Sequence, residues 1–172
     1  MSMLVVLILS AEFAIIAALL VLLIVREVRG QYMDRRRLWG VPLILAIVGV
    51  IYLPLTVQRV VPADLALTAV AVLIAIVVGL GLGALTTVSR ATQPDRRGRV
   101  IRTRSGWRGG ALWLAFIAAR LALQPAAASW NASLVTSPGV VLLLVAIARA
   151  TAAVLVAPKL AAATHSDIRS AD

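Results

Sequence analysis

The sequence predicts an all-α fold: a polytopic transmembrane helical bundle of five spans, with the N-terminus outside and the C-terminus cytoplasmic. Its 172 residues are 62% hydrophobic, with a mean hydropathy of +1.00, and a soluble domain of this length does not bury so much apolar surface. The apolar residues fall into long runs that short polar segments separate. The 17 Lys and Arg residues concentrate in alternate polar segments, which is typical of the cytoplasmic loops of a membrane protein.

The first two spans are predicted at residues 3–25 and 40–57. The first run is longer than the apolar core of a signal peptide. Arg26 and Arg29 follow it directly, so the positive-inside rule predicts that the N-terminus lies outside. In the second span we expect Pro42 in the first helical turn, where its missing N–H has no helical partner to lose.

The last three spans are predicted at residues 65–88, 110–129 and 139–158. Pro125 predicts a kink in the fourth span, and Pro138 opens the fifth. About 20 residues at ~1.5 Å each cover the ~30 Å hydrocarbon core of a bilayer. We therefore expect the whole chain, residues 1–172, to form a single integral membrane domain ending in a polar tail from residue 159.

The loops between these spans alternate in charge. Five Arg lie in 26–39 and seven in 89–109, whereas 58–64 has one and 125–138 has none. The arginine-rich loops all fall on the predicted cytoplasmic side. Trp39 and Trp107 are expected at the inner interface and Trp130 at the outer one. Because the net charge of +10 is distributed as topogenic loops, we expect membrane lipids and no nucleic acid as partners.

The loop 89–109 has two interpretations. Its segment "GRVIRTRSGW" alternates in polarity and is bounded by glycines, which is compatible with a short hairpin on the inner leaflet. The arginines would then be attracted to anionic headgroups. The alternative, which we favour at this point, is a solvated basic loop that only sets the topology.

Small residues recur every fourth position in the third span, at Ala71, Ala75, Gly79 and Gly83. Helices in a membrane gain little from apolar burial against each other, so close backbone approach along small residues provides the packing. The spacing predicts a helix-packing face, although an Ala-rich chain can produce it by chance. One use of that face would be a homo-oligomer.

The scarcity of ligand side chains excludes several kinds of site. The chain has no Cys, which rules out disulfides, iron–sulfur clusters and covalently attached haem. Its one His, His165, lies in the polar tail, so a membrane haem held by paired histidines is ruled out too. We therefore expect no metal and no cofactor.

Three charged residues lie deep within the predicted spans: Glu12, Arg120 and Arg149. All three are about nine or ten residues from the outer end of their span, which at ~1.5 Å per residue is ~13–15 Å. An Arg at the centre of a span costs roughly 2.5–3.5 kcal/mol to insert, so such residues are usually functional or paired. One carboxylate and two guanidiniums leave an excess positive charge that would favour an anionic ligand.

The neighbours of the two arginines suggest a lined site. Helical spacing places Trp113 and Gln124 on the face of Arg120, together with Phe116 and Ile117. Small residues surround Arg149, leaving room for a helix or a ligand. The alternative is a buried Glu–Arg lock between spans, with the second Arg capping a carbonyl near Pro125.

Several blocks of the chain resemble a known family. They are "RRRLWGVPLILAIVGVIYLP", "RVVPADL" and "GRVIRTRSGW" leading into "ALWLAFIAARLAL". Over residues 26–158 the chain resembles the CcdC-like family of small bacterial membrane proteins, which is named for an association with cytochrome c biogenesis genes and has no established activity. The resemblance implies a multi-pass protein of the bacterial cytoplasmic (inner) membrane and singles out Arg59, Arg120 and Arg149. Without Cys or a membrane His, any part in cytochrome maturation would be indirect.

Three functions follow as hypotheses. The favoured one is a non-catalytic membrane protein that binds an anionic lipid or small hydrophobic anion, or scaffolds a cell-envelope assembly with protein partners. The second is a transporter or channel subunit with a charged site at mid-depth. The third is a membrane enzyme acting on a polyprenyl or lipid substrate, for which the acids are few: Glu12 in a span and Asp64 at the outer rim.

Overall fold

The computed structural model describes residues 21, 22, 25, 31–32, 35–57, 60–90, 101–130 and 132–169. Most of the predicted first span, including Glu12, lies outside the described residues, and so does Arg59. Statements below about contacts refer to the described part of the chain.

The described chain is mostly helical. Its elements in order are β1 (Gln31–Tyr32), α1 (Arg35–Thr56), α2 (Pro62–Leu85), β2 (Thr87–Arg90), β3 (Ile101–Arg104), α3 (Gly106–Ser129) and α4 (Pro138–Arg169). Within the described residues, four segments are long and apolar enough to cross a membrane: Leu38–Leu55, Pro62–Leu85, Gly106–Ser129 and Pro138–Ala162. The expected helical membrane protein is confirmed to that extent, while the fifth span and the direction of the chain stay predictions.

Several helix ends differ from the predicted ones. Helix α1 begins at Arg35 and not at residue 40, so Pro42 lies inside the helix and not in its first turn. Pro125 lies within α3, and α4 continues past Pro158 to Arg169, so part of the predicted polar tail is helical. Each internal proline removes one helical hydrogen bond. Membrane helices tolerate that loss because neighbouring groups and small local adjustments satisfy the freed carbonyl.

The helices pack in a lateral order that differs from their order in the chain. Helix α1 packs on α4, α4 packs on α2, and α2 packs on α3. Helices α2 and α4 run in the same direction, and α1 and α3 run in the opposite one. The last helix of the chain therefore lies between the first two described helices, and α2 lies between α4 and α3.

A small antiparallel sheet lies at one end of the helices, with the strand order β1-β3-β2. Thr87 of β2 pairs with Arg104 of β3, and Gln31 of β1 pairs with Thr103. The loop 89–109 therefore contributes to a sheet, but the segment "GRVIRTRSGW" supplies only the strand β3, and both partners of β3 lie outside that segment. On the inner side of the sheet, Val88 packs against a buried cluster on α1 and α4, formed by Leu38, Ala153 and Val156.

A buried carboxylate fixes the opposite end of the bundle. Asp64 has no exposed surface. Its Oδ2 accepts a hydrogen bond from the backbone N–H of Val61 at 3.0 Å, and its Oδ1 accepts one from the N–H of Leu134 at 2.8 Å. The side chain therefore caps the N-terminus of α2 and at the same time holds the loop that leads into α4.

A lysine fixes the sheet end. The Nζ of Lys159, on α4, donates hydrogen bonds to the carbonyl oxygens of Gly83 at 2.9 Å, Ala84 at 3.2 Å and Thr86 at 3.1 Å. Carbonyls in the last turn of a helix have no partner within the helix, and they carry the negative end of its dipole. One ammonium group with three donors therefore satisfies the end of α2 and ties it to α4.

Candidate functional site

The small-residue face of α2 sets the distance between the helices that carry the site. Ala71 and Ala75 are 3% and 0% exposed. A Cβ built on Gly79 would lie 2.5 Å from the carbonyl oxygen of Ala148, and one on Gly83 would lie 2.9 Å from that of Ala152. The face thus meets α4 of the same chain at backbone distance and is not free for a second copy at these positions. It brings the neighbour of Ala148, Arg149, to the level of Gly79.

A second close approach, between α1 and α4, was not predicted. A Cβ on Gly49 would lie 2.9 Å from the carbonyl oxygen of Gly139, and one on Gly139 would lie 3.0 Å from the backbone nitrogen of Leu53. Each helix contributes a single glycine here. No repeated spacing was therefore present to reveal the contact in the sequence.

Arg149 of α4 lies over the indole of Trp113 of α3, with 5.1 Å between its Cζ and the ring centroid. Trp113 has no exposed surface and stands edge-to-face against Phe116, with 5.8 Å between centroids and 88° between planes. A guanidinium over an indole face is attracted by the negative ring quadrupole. The structure therefore joins two of the predicted site residues, and through them α3 to α4, which both pack on α2.

Arg120 lies on the same face of α3 as Trp113, seven residues or ~10 Å along the helix. Its Nε and Nη1 are buried, and neither has a hydrogen-bond partner in the described part of the chain. Guanidinium nitrogens only donate. Leaving a buried donor of a charged group unsatisfied costs about 1–3 kcal/mol or more. A hydrogen-bond acceptor beside Arg120 would remove this cost.

Further polar groups lie along the same face of α3. The Nε1 of Trp113 is buried and has no acceptor among the described residues, like the two Arg120 nitrogens. Gln124 lies one turn beyond Arg120 and is half-buried. Two of these three side chains can only donate hydrogen bonds, and the amide of Gln124 can donate as well. The chemistry common to the face is hydrogen-bond donation, which suits an anion or a polarised carbonyl.

Both arginines lie near the middle of the segments that are long and apolar enough to cross a membrane. Arg120 is nine residues before the end of α3 at Ser129, ~14 Å by helical rise, and Arg149 is eleven residues after Pro138, ~16 Å. Glu12 and Arg59 lie outside the described residues, so their approach to this site stays a prediction.

Asp64 was predicted as an acid at the outer rim, and the structure gives it a structural role. Both of its oxygens accept backbone hydrogen bonds, so it is not available as a free acid or base. A signal for this role was present: Pro62 stands at the first position of the helix and Asp64 at the third, where a carboxylate reaches back to the cap N–H. Lys159 had no comparable local signal, because its partners are more than 70 residues earlier in the chain.

No protein-family model, curated protein or solved structure matches this chain. The CcdC-like resemblance stays a prediction, and the chemistry of the site rests on the residues themselves.

Proposed function

We propose that this protein is a non-catalytic membrane protein whose helix bundle binds, at Arg120, the anionic group of a lipid or of a small hydrophobic anion. The observation that carries the proposal is the pair of buried Arg120 nitrogens, Nε and Nη1, without an acceptor in the described part of the chain. Each of these two nitrogens can donate a charge-assisted hydrogen bond to an oxygen of a carboxylate or phosphate. Such bonds gain strength where water is excluded.

Arg149 supports the same chemistry from the neighbouring helix. Its guanidinium over Trp113 adds positive charge on the side of α3 that carries Arg120. The face of the indole attracts this guanidinium and holds it beside α3. The positive potential of two mid-depth arginines favours an anion over a neutral lipid.

The wider setting is proposed from the sequence. The resemblance to the CcdC-like family and the positive-inside pattern support a location in a bacterial cytoplasmic membrane, with the sheet end on the cytoplasmic side. Binding of an anionic lipid there is compatible with a scaffolding role in a cell-envelope assembly. Catalysis is less favoured, because Asp64 is engaged by backbone N–H groups and leaves Glu12 as the acid within a predicted span.

Native mass spectrometry of the full chain, extracted with its lipids, tests the proposal. We expect the wild type to retain an anionic amphiphile and Arg120→Gln to lose it by about tenfold or more, because each hydrogen bond to a charged group contributes about 1.5–3 kcal/mol. Arg169→Gln removes the same charge at the far end of α4 and serves as the matched control, with wild-type retention expected.

The Glu–Arg lock is the competing outcome. If Glu12 satisfies Arg120, Glu12→Gln lowers the thermal stability of the detergent-solubilised chain, and the wild type retains no anionic amphiphile. That pair of results would overturn the proposal. Retention that is equal in the wild type and in Arg120→Gln would overturn it too, since the bound molecule would then lie elsewhere.

A further inference from the structure

The three-stranded sheet has two chemically different faces. Side chains alternate between the faces of a strand. Val88 and Thr103 lie on the inner face, where Thr103 is 6% exposed and Val88 packs against the buried cluster on α1 and α4. Thr87, Ser89 and Arg104 are exposed on the outer face. The outer face is therefore polar and basic, and it lies away from the helices that the inner face covers.

This outer face lies where a membrane-spanning helix ends. Arg104 is two residues before the start of α3 at Gly106, and Arg108 is two residues after it. Trp107, between them, is 73% exposed, and Trp39 at the same end of the bundle is 45% exposed. Indoles with exposed surface at the ends of spans sit at the level of the lipid headgroups.

The length of α3 supports a position of Trp107 at the level of the lipid headgroups. Trp130 is 57% exposed and follows the other end of the helix. The 23 residues from Trp107 to Trp130 rise ~34 Å, slightly more than the ~30 Å thickness of the hydrocarbon core. When one tryptophan lies at each interface, the arginines beside Trp107 lie in the headgroup layer.

The backbone that carries these residues is held in place. Thr87 Oγ1 donates a hydrogen bond to the carbonyl oxygen of Arg104 at 2.9 Å. The buried hydroxyls of Thr86 and Ser105 are hydrogen-bonded to each other at 2.9 Å. The chain before α3 is thus attached, at Arg104 and at Ser105, to the residues that follow α2, which lowers the conformational entropy lost when a headgroup binds.

The charge of this region is one-sided. The segment 89–109 has seven Arg and one Asp. Among residues whose side chains the structure describes, the acid Asp64 lies at the opposite end of the bundle and is engaged there. A basic surface at this depth attracts anionic lipids of the adjacent leaflet.

We infer that Arg104, Trp107 and Arg108 form a headgroup-binding surface, which recruits anionic phospholipids to the sheet end of the bundle. The surface is separate from the site proposed at Arg120, which lies 12 residues or ~18 Å along α3 from Arg108. The arginines bind the phosphate, and the indole of Trp107 lies between the glycerol region and the first methylene groups.

The test measures the association of spin-labelled phosphatidylglycerol and phosphatidylcholine with the full chain in phosphatidylcholine bilayers. We expect the wild type to prefer phosphatidylglycerol, and the preference to weaken as salt is raised. Each exposed Arg strengthens the attraction by at most about fivefold, so Arg104→Gln with Arg108→Gln should lower the preference by about three- to tenfold. The double variant Arg104→Lys with Arg108→Lys keeps the charge and should keep the preference.

The Arg120 site is present in the wild type and in both double variants, so its contribution to the lipid preference cancels when they are compared. This experiment can therefore fail while the proposed function holds. Equal melting temperatures for the Gln and Lys variants establish that both are folded. An undiminished preference in the Gln variant, or no preference in the wild type, overturns the inference. So does tight binding of a labelled single-stranded oligonucleotide that phosphatidylglycerol does not displace, which would assign the surface to nucleic acid.

Discussion

Asp64 joins two segments that are 70 residues apart in the chain. A fully buried carboxylate is costly unless hydrogen bonds compensate for the lost water, and here two backbone N–H groups do so. Each of those N–H groups would itself be without a partner if the carboxylate were absent, since one belongs to the start of a helix and the other to a loop. The residue therefore controls both the start of α2 and the approach to α4.

Replacing Asp64 tests this role. We expect Asp64→Ala to lower the free energy of unfolding by about 2–4 kcal/mol, because it removes two hydrogen bonds to a charged group and leaves buried donors. Asp64→Asn keeps one acceptor oxygen, so its free energy of unfolding should fall by about half as much. Unfolding by SDS titration measures both. Thr136→Ala, exposed in the same loop, is the control and should change stability by less than ~0.5 kcal/mol. Wild-type stability of Asp64→Ala would contradict the assignment.

Arg149 shows how a charge is accommodated at mid-depth. Inserting an Arg at the centre of a span costs roughly 2.5–3.5 kcal/mol, and a desolvated cation–π contact returns about 2 kcal/mol. The contact with Trp113 thus offsets a large part of the insertion cost. The Nε and Nη1 of Arg120, by contrast, have no hydrogen-bond acceptor in the described part of the chain. The two arginines therefore have different roles in the proposal.

At the scale of elements, the contact between α2 and α4 organises the bundle. The two helices approach at backbone distance along Gly79 and Gly83, and Lys159 closes the contact at the sheet end. Close approach gains dispersion contacts between backbones, which is the main packing energy available between helices in lipid. Any side chain larger than hydrogen at these glycines must push α4 away.

Adding a methyl group at Gly79 tests this packing. The Cβ of Gly79→Ala would lie 2.5 Å from the carbonyl oxygen of Ala148, so we expect a loss of about 1–3 kcal/mol in the free energy of unfolding. Gly40→Ala is the matched control, because nothing lies within 4 Å of its Cβ position. Thermal melting of both variants in detergent should show a lower midpoint for Gly79→Ala alone. Equal midpoints would mean that α2 and α4 are not held at this distance.

At the scale of the whole molecule, the direction of the chain across the membrane is open to a direct measurement. The chain has no Cys, so a single introduced Cys is labelled without background. With the N-terminus outside, Ser133→Cys in the exposed loop before α4 should react with a membrane-impermeant maleimide in intact cells. Thr87→Cys, exposed at the sheet end, should react only after the cells are permeabilised.

The same labelling counts the spans. Five spans place residue 2 on the same side as residue 133, so Ser2→Cys should also react in intact cells. If 3–25 does not cross the membrane, Ser2→Cys behaves like Thr87→Cys instead. Labelling of Thr87→Cys but not Ser133→Cys in intact cells would reverse the orientation and rule out the cytoplasmic assignment of the sheet.

Hydropathy and charge placement were enough to predict four helices that the structure contains, because membrane insertion depends on the summed transfer energy of a local run. Their ends lie within five residues of the predicted ones, except that α4 continues eleven residues past residue 158. The fourth-residue spacing on α2 predicted a close-packing face. Helical period placed Trp113 on the face of Arg120, but it did not predict the contact of Trp113 with Arg149. The sequence signal for the sheet was weaker, because two of its strands are four residues long and the third has two. In addition, β3 pairs with the distant strand β1.

The sequence by itself determined which segments form helices long and apolar enough to cross a bilayer and where along the chain the positive charge lies, because each of these depends on neighbours along the chain. Tertiary structure alone decided that the glycines of α2 face α4, that Arg149 and not Arg120 lies over Trp113, and that Asp64 and Lys159 tie opposite ends of the bundle. The reason is the lateral order α1–α4–α2–α3: all four helices are apolar on most sides, so hydropathy contains little information about which one becomes the neighbour of which.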